Sequence, residues 1–339
     1  MARSKKVLSK TKNKKGSNPK SMGKGAKVFI GFLAFFVIVL VLLMVVNVLN
    51  NAMTAAKYVK ARVDLEVGGT GDGPGQFKEP WAVAVDGQGN FYVTDFAGRR
   101  VEKFDPMGQP VLSIGAPGKE DGQFDQPSGL YVDPQGEIYV CDTFNHRIQK
   151  FDTDGNVLKV WNHNFFGPRS IAGDGLGRIY VSDTGNHKIQ VFDADGNYLS
   201  EWGGFGTADG KFREPVGVTV DPQGFVYVAD SDNRRIQKFD SRGKFIAAIK
   251  VSLWRGKNDE VPYLAFANGY LYASNASAKT VLKFDPSGNL LAIVQKGDKE
   301  GFGMAAGIAV DAQERVYVVE KGMNRVARFL IPAMPQPSR

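Results

Sequence analysis

The chain has 339 residues, 43% of them hydrophobic and 11% aromatic, with 40 glycines and a formal net charge of +8. That content is ample for a packed core, while the single cysteine, Cys141, excludes an intrachain disulfide and any Cys-cluster metal site. The positive charge does not mark the body as a nucleic-acid binder: residues 1–60 hold 12 Lys and Arg and no acid, so 31 basic residues face 35 acidic ones in the rest.

Residues 1–27 carry ten of those basic residues among Ser, Gly and Asn with no apolar period, the composition of a disordered basic tail. Residues 28–49 begin with VFIGFLAFFVIVLVLLMVV, nineteen residues without a charge. As a helix rising 1.5 Å per residue, this stretch crosses a hydrocarbon core of about 30 Å. A cleaved signal peptide has a shorter apolar run and a small-residue cleavage site, and the following NNAMTAAK is a poor one. No cysteine stands directly after the run, which excludes a lipoprotein. The segment is predicted to be an uncleaved signal anchor. Basic residues crowd its amino-terminal side, and only Lys57, Lys60 and Arg62 follow closely, so the tail should be cytoplasmic and the rest of the chain outside. Residues 50–62 read as a juxtamembrane linker.

Beyond the linker one phrase recurs. It stands as YVTDFAGRRVEKFDPMGQ from Tyr92, YVCDTFNHRIQKFDTDGN from Tyr139, YVSDTGNHKIQVFDADGN from Tyr180 and YVADSDNRRIQKFDSRGK from Tyr227, with weaker copies from Tyr272 and Tyr317. The tyrosines are 47, 41, 47, 45 and 45 residues apart, a period that signals a repeat architecture. Each unit reads as four short strands, in the second at residues 129–132, 137–141, 147–151 and 157–161. Asp, Pro and Gly fill the intervening turns, and Asn268-Gly269 suits a two-residue hairpin. Such even spacing predicts four-stranded antiparallel blades arranged radially. The sixth unit has only three strands before a Pro-rich tail at residues 332–339, whereas residues 63–67 read as a fourth strand with no unit before it. The loops GGTGDGPGQFKEP (68–80) and GAPGKEDGQFDQP (115–127) correspond, so residues 63–67 are expected to complete the last blade and remove a free edge. The prediction is an all-β, six-bladed β-propeller over residues 63–331, closed by an N-terminal strand and preceded by one transmembrane helix.

The elements YVxD, Asn-His-Arg/Lys-Ile-Gln and FDxxG resemble the NHL-repeat family of six-bladed propellers over about residues 63–330. The Asn-His pair is literal at Asn145-His146 and Asn186-His187 and becomes Asn233-Arg234 and Asn324-Arg325 elsewhere. The resemblance implies several roles. Peptidylglycine amidating lyases, which are similar in fold, use a central zinc held by several histidines. Some animal members bind RNA, and sensor modules of some bacterial receptor kinases have a similar layout.

The repeated Asp95, Asp142, Asp183 and Asp230, replaced by Asn275 and Glu320 in the last units, are expected to accept backbone N–H groups rather than bind a cation. The same holds for Asp86, Asp133, Asp174, Asp221 and Asp311 in the first turn. His146 and His187 are expected to pack between blades; with His163 lying apart, the three do not form a zinc set. The residues opening the inner strands, Trp81, Ser128, Arg169, Val216, Tyr263 and Ala306, include no histidine and no acidic cluster. No catalytic residue, metal ligand or cofactor is predicted. Asn275-Ala276-Ser277 is a glycosylation sequon by sequence.

What differs between units gathers on one face, where aromatic and Arg residues anchor partners. The candidate ligand-binding residues are Trp81, Phe96, Arg99, Phe144, Arg147, Phe165, Arg169, Arg234 and Tyr263, with Phe166 close by. Arg100, Lys188, Arg235 and Arg325 complete a basic ring that suits an anionic polymer unless neighbouring acids pair with it. The expected function is a membrane-anchored, extracytoplasmic binding, scaffold or sensor propeller for a protein, peptide or anionic envelope polymer. The alternatives are a metal-dependent hydrolase or lyase acting in the central channel, and RNA binding if the topology is reversed.

Overall fold

The alternation of apolar residues in each repeat builds short strands whose side chains point by turns to the two faces of the sheet, and the second strand of the unit is buried on both, as at Phe91–Asp95, Ile138–Asp142 and Val226–Asp230. The computed structural model describes residues 39–41, 57–255, 261–297 and 301–332. The chain divides into two units, residues 1–53 and 54–339. In the first, residues 39–41 are helical; the rest of the expected membrane span 28–49 and the tail 1–27 lie outside the described residues, as do residues 333–339 of the Pro-rich tail. No described helix is long and apolar enough to cross a membrane.

The second unit begins with strand β1 (Lys57–Gly68). Four separate four-stranded antiparallel sheets follow. They are β2–β5 (Pro80–Val85, Phe91–Asp95, Arg100–Phe104, Pro110–Ile114) and β6–β9 (Pro127–Val132, Ile138–Asp142, Arg147–Phe151, Val157–Trp161), then β10–β13 (Pro168–Gly173, Arg178–Asp183, Lys188–Asp193, Tyr198–Gly203) and β14–β17 (Pro215–Val220, Val226–Asp230, Arg235–Phe239, Phe245–Lys250). The remaining strands are β18–β21 (Leu264–Ala267, Tyr270–Asn275, Thr280–Phe284, Leu290–Lys296) and β22–β24 (Ala305–Val310, Arg315–Glu320, Arg325–Leu330). Together with β1 they form one eight-stranded sheet in the order β18-β19-β20-β21-β1-β24-β23-β22. The fold is an all-β propeller of four-stranded antiparallel blades. The first strands follow one another around a channel, and β22 returns to pack on β2.

The expectation of six four-stranded blades is corrected to four such blades and one eight-stranded sheet, and the cause lies in β1. Its second half pairs antiparallel with β24, from Arg62 opposite Leu330 to Gly68 opposite Arg325. This pairing covers the free edge that residues 63–67 were expected to cover. The strand starts earlier than that, however. Residues 57–61, read as linker, pair parallel with β21, Lys57 opposite Ala292 and Ala61 opposite Lys296. The alternating Tyr58-Val59-Lys60-Ala61 finds the open edge of the preceding sheet and fuses two blades into one. A fork from Arg328 to both carboxylate oxygens of Asp64, each at 3.1 Å, fastens the closure.

The repeated phrase is a packing instruction. Its leading tyrosines, Tyr92, Tyr139, Tyr180, Tyr227, Tyr272 and Tyr317, are among the largest fully buried side chains, each worth about 1.5–3 kcal/mol if valued like other large apolar groups. All but Tyr272 donate their hydroxyl to the Asp of the first turn, at 3.0–3.3 Å. That Asp meanwhile accepts the backbone N–H groups two and four residues on, as Asp133 does from Gln135 and Glu137. The unit of Tyr272 has Asn268-Gly269 in place of this turn. Lys of the KF pair lies over the tyrosine ring across the strand, as Lys150 does over Tyr139 at 5.1 Å and Lys238 over Tyr227 at 5.0 Å.

Around the channel the first strands meet backbone to backbone in alternate blades. A Cβ on Gly129 would stand 2.5 Å from the Arg169 carbonyl oxygen; on Gly217, 2.6 Å from that of Pro262; on Gly307, 2.4 Å from the Ala82 Cα. Ala82, Ser170 and Leu264 hold the intervening positions. Glycine is required at these three places because the next strand occupies the space.

Candidate functional site

The loop between the second and third strands of each blade is built by the repeat itself. Asp142 is fully buried at the end of β7. Its carboxylate accepts the Asp125 N–H at 2.8 Å, Asn145 Nδ2 at 2.9 Å, Arg147 Nε at 2.8 Å and Gln149 Nε2 at 3.0 Å. Asp230 repeats the set with Arg213 N–H, Asn233, Arg235 and Gln237, and Asp183 with Phe166 N–H, Asn186 and Gln190. The spacing D-x-x-N-x-R-x-Q is one hydrogen-bonded knot, and the repeated Asp has the structural role expected of it. Burial pushes the Asp142 carboxyl above the ordinary carboxylate range, against the pull of Arg147, Asn145 and the Asp125 N–H.

The fourth residue after the repeated acid, His146, His187, Arg234 or Asn324, takes a left-handed conformation with φ of 49–56°. This turns each histidine toward the following blade. His146 Nδ1 accepts the Gly167 N–H at 3.3 Å and its ring stacks on Phe166 at 5.8 Å. His187 Nδ1 accepts the Glu214 N–H at 3.2 Å, and its ring meets Phe205 at 5.1 Å. His163 stacks on Tyr198 at 4.1 Å. The histidines act as spacers between blades. Among the described residues no three His, Cys, Asp or Glu converge as a metal-binding group. Cys141 is wholly buried, and burial pushes its thiol up. Asn275 is 1% exposed, which closes the sequon to modification in the folded chain.

At the loop-side mouth of the channel lies a cavity of about 160 Å³ lined by Trp81, Arg169, Val261, Ala276, Met304, Ala306 and Lys321. Tyr263 reaches across the ring and donates its hydroxyl to the Arg169 carbonyl at 3.1 Å. Burial pushes this phenol well above the ordinary tyrosine value, so it keeps its proton. Lys321 Nζ lies 3.7 Å from the Trp81 ring centroid and 2.8 Å from a Glu79 carboxylate oxygen. The Arg169 guanidinium is half-buried and has no hydrogen bond or ion pair among the described residues. From Trp81 a run of rings leads outward, through Phe96 at 4.1 Å to Phe144 at a further 6.2 Å. Phe144, Phe166 and Phe205 stand 57%, 61% and 68% exposed.

Of the nine candidates, the structure brings Trp81, Phe96, Arg169 and Tyr263 together at this mouth, with Phe144 on its rim. Arg99 pairs with Asp125 at 3.5 Å, and Arg234 stays exposed on the outer rim. Arg147 and Phe165 lie elsewhere than expected. Arg147 is buried and gives four donors to Asp142, Asp121 and the carbonyls of Glu120 and Gln123. Phe165 is a core residue packed on Phe192. Most of the basic ring is likewise spent on acids: Arg100 on Glu102, Lys188 on Glu201, Arg235 on Asp230 and Arg325 on Glu320. Lys321 and Ala276 were missed by sequence reasoning, although both sit, like Phe96, directly after the repeated acid or its Asn substitute. That position recurs around the mouth and was the available signal.

Three segments, residues 124–151, 165–192 and 212–239, match the NHL repeat model. No curated protein sequence matches the chain. Among solved structures, the chain is similar to a catalytically inactive virginiamycin B lyase from Staphylococcus aureus with quinupristin, at 14% identity and TM-score 0.55, over 77% of this chain and 82% of that one. A gluconolactonase from Xanthomonas campestris is similar at 18% identity and TM-score 0.57, over 81% and 98%. A chain of a nidogen/laminin complex is similar at 17% identity and TM-score 0.51, over 63% and 84%. At these identities the likeness is one of fold, and the fold serves enzymes and binding proteins alike.

Proposed function

The chain belongs to the NHL-repeat β-propeller family, and we propose that it is a non-catalytic binding module whose loop-rich face takes a protein or peptide partner. The observation that carries this reading is the mouth cavity, where Trp81 meets the Arg169 guanidinium, unpaired among the described residues, and from which aromatic rings run out to exposed Phe144. Exposed rings beside an unpaired Arg are the residue types that anchor partners. The cavity's lining of two cations, an indole and apolar groups offers no His, Cys or carboxylate to hold a metal, which weighs against a metal-dependent hydrolase or lyase. An anionic polymer is less well served, because most of the basic ring is already paired. We count six blades, taking the eight-stranded sheet as two joined by β1; the cycle of first strands supports this count.

A photo-crosslinking residue at Phe144 of the full-length chain is expected to give a discrete adduct in cells. The same residue at Leu176, 82% exposed in the turn between β10 and β11, is expected to give none. Equal labelling from both positions, or none from Phe144, overturns the reading.

We further propose that residues 28–49 anchor the chain in the cell membrane with the basic tail cytoplasmic and the propeller outside; the one-sided placement of Lys and Arg supports this. External protease on intact cells or spheroplasts should then cut the propeller while a tag on the amino terminus survives. Protection of the propeller until lysis would reverse the orientation and bring RNA and cytosolic partners forward.

A further inference from the structure

We propose that the mouth cavity anchors one carboxylate of an extended peptide, an inference that rests on the binding-module reading above. Arg169 provides the charge. Its guanidinium is half-buried and unpaired among the described residues, whereas Arg100, Arg147 and Arg235 on the same face each hold a carboxylate. A partly desolvated, unpaired guanidinium is costly to bury, and a carboxylate entering the cavity would offset that cost through two parallel charge-assisted hydrogen bonds.

The rest of the lining fixes how much charge the site wants. Lys321 is shared between the Trp81 ring and the Glu79 carboxylate, so its charge is already answered. Among the described residues, Arg169 is left as the unanswered cation lining the cavity, a match for one negative charge. A volume of about 160 Å³ is close to that of a cavity that admits one benzene, roughly 150 Å³, so it takes one carboxyl-bearing group and no more. The path out of the cavity is apolar, along Phe96 to exposed Phe144. One negative charge followed by an apolar side chain describes a peptide. A linear polyanion would instead want a row of unpaired cations.

The carboxylate can be a chain end or an acidic side chain, and three probes separate these. N-acetylphenylalanine carries the first, N-acetyl-aspartyl-phenylalanine amide the second, and N-acetylphenylalanine amide neither. Titrated into the purified full-length chain and followed by calorimetry and tryptophan fluorescence, at least one acid should bind and the amide should not. Which acid binds identifies the source. Arg169→Gln should weaken that acid about ten- to a hundredfold, the worth of a hydrogen bond to a charged group, and Arg169→Lys by less, with unchanged thermal unfolding in both. Equal binding of acid and amide, binding that survives Arg169→Gln, or no binding of either acid overturns the inference. So does heparin binding that outlasts Arg169→Gln, which would favour a polymer. An adduct from Phe144 under any of these outcomes leaves the binding face standing and removes only the carboxylate anchor.

Discussion

Asp142→Ala is expected to destabilise the propeller by about 3–5 kcal/mol, the range for removing one partner of a buried ion pair. The substitution strands the Arg147, Asn145 and Gln149 side chains and the Asp125 N–H at once, and all four donate to that carboxylate. Asp142→Asn should be milder, because the amide keeps an acceptor for part of the set. Burial raises the Asp142 carboxyl above its ordinary 3.8. The folded chain therefore takes up this proton before the unfolded chain does, and its contribution to stability falls as pH rises from about the ordinary value through the raised one. The stability gap between wild type and Asp142→Asn should accordingly widen as pH is lowered through that window. Chemical denaturation of the three proteins at stepped pH reads both effects. A loss under 1 kcal/mol for Asp142→Ala would mean that the knot is not cooperative.

The knot also shows what was legible in the sequence. Its spacing was visible as a repeat, and the local role of its Asp followed from recurrence, since a residue needed in every blade answers a need present in every blade. Arg147 was misread because an arginine that rivets a loop and one that binds a ligand look the same in one dimension. Only the positions of Asp121 and of the Glu120 and Gln123 carbonyls distinguish them. Phe165 and Phe166 differ for a similar reason: adjacent residues in a short irregular loop face opposite ways, and no period says which is buried. The early start of β1 escaped because its partner β21 lies more than 200 residues away, and a five-residue alternation is too short to announce a parallel pairing. By contrast, the placement of Trp81, Arg169 and Tyr263 at the channel mouth followed from asking which residues open the first strands, since strand order alone puts that position there.

The next position along the same strands sets the second large expected effect. Gly129→Ala should cost about 3 kcal/mol, the upper end for overpacking a core, although alanine is among the smallest possible changes. The added methyl would stand 2.5 Å from the Arg169 carbonyl oxygen and 2.6 Å from the Ser170 Cα. Both are backbone atoms of β10, which cannot rotate aside as a side chain would. Relief requires β6 and β10 to separate, which would displace Ser128, whose hydroxyl bonds the Arg169 carbonyl at 3.1 Å, and the Tyr263 hydroxyl that shares that carbonyl. Gly175→Ala is the matched control. Nothing lies within 4 Å of its Cβ and its φ is not in the left-handed region, so this change should be neutral or stabilise by about 0.4–1 kcal/mol through the unfolded chain. Calorimetric unfolding of the two variants beside wild type separates steric crowding from the loss of glycine's freedom. Equal effects at Gly129 and Gly175 would show that the first strands tolerate a wider ring. A large effect at Gly129 alone would show that the diameter of the channel, and with it the spacing of Trp81, Arg169 and Tyr263, is set by backbone contact between neighbouring blades.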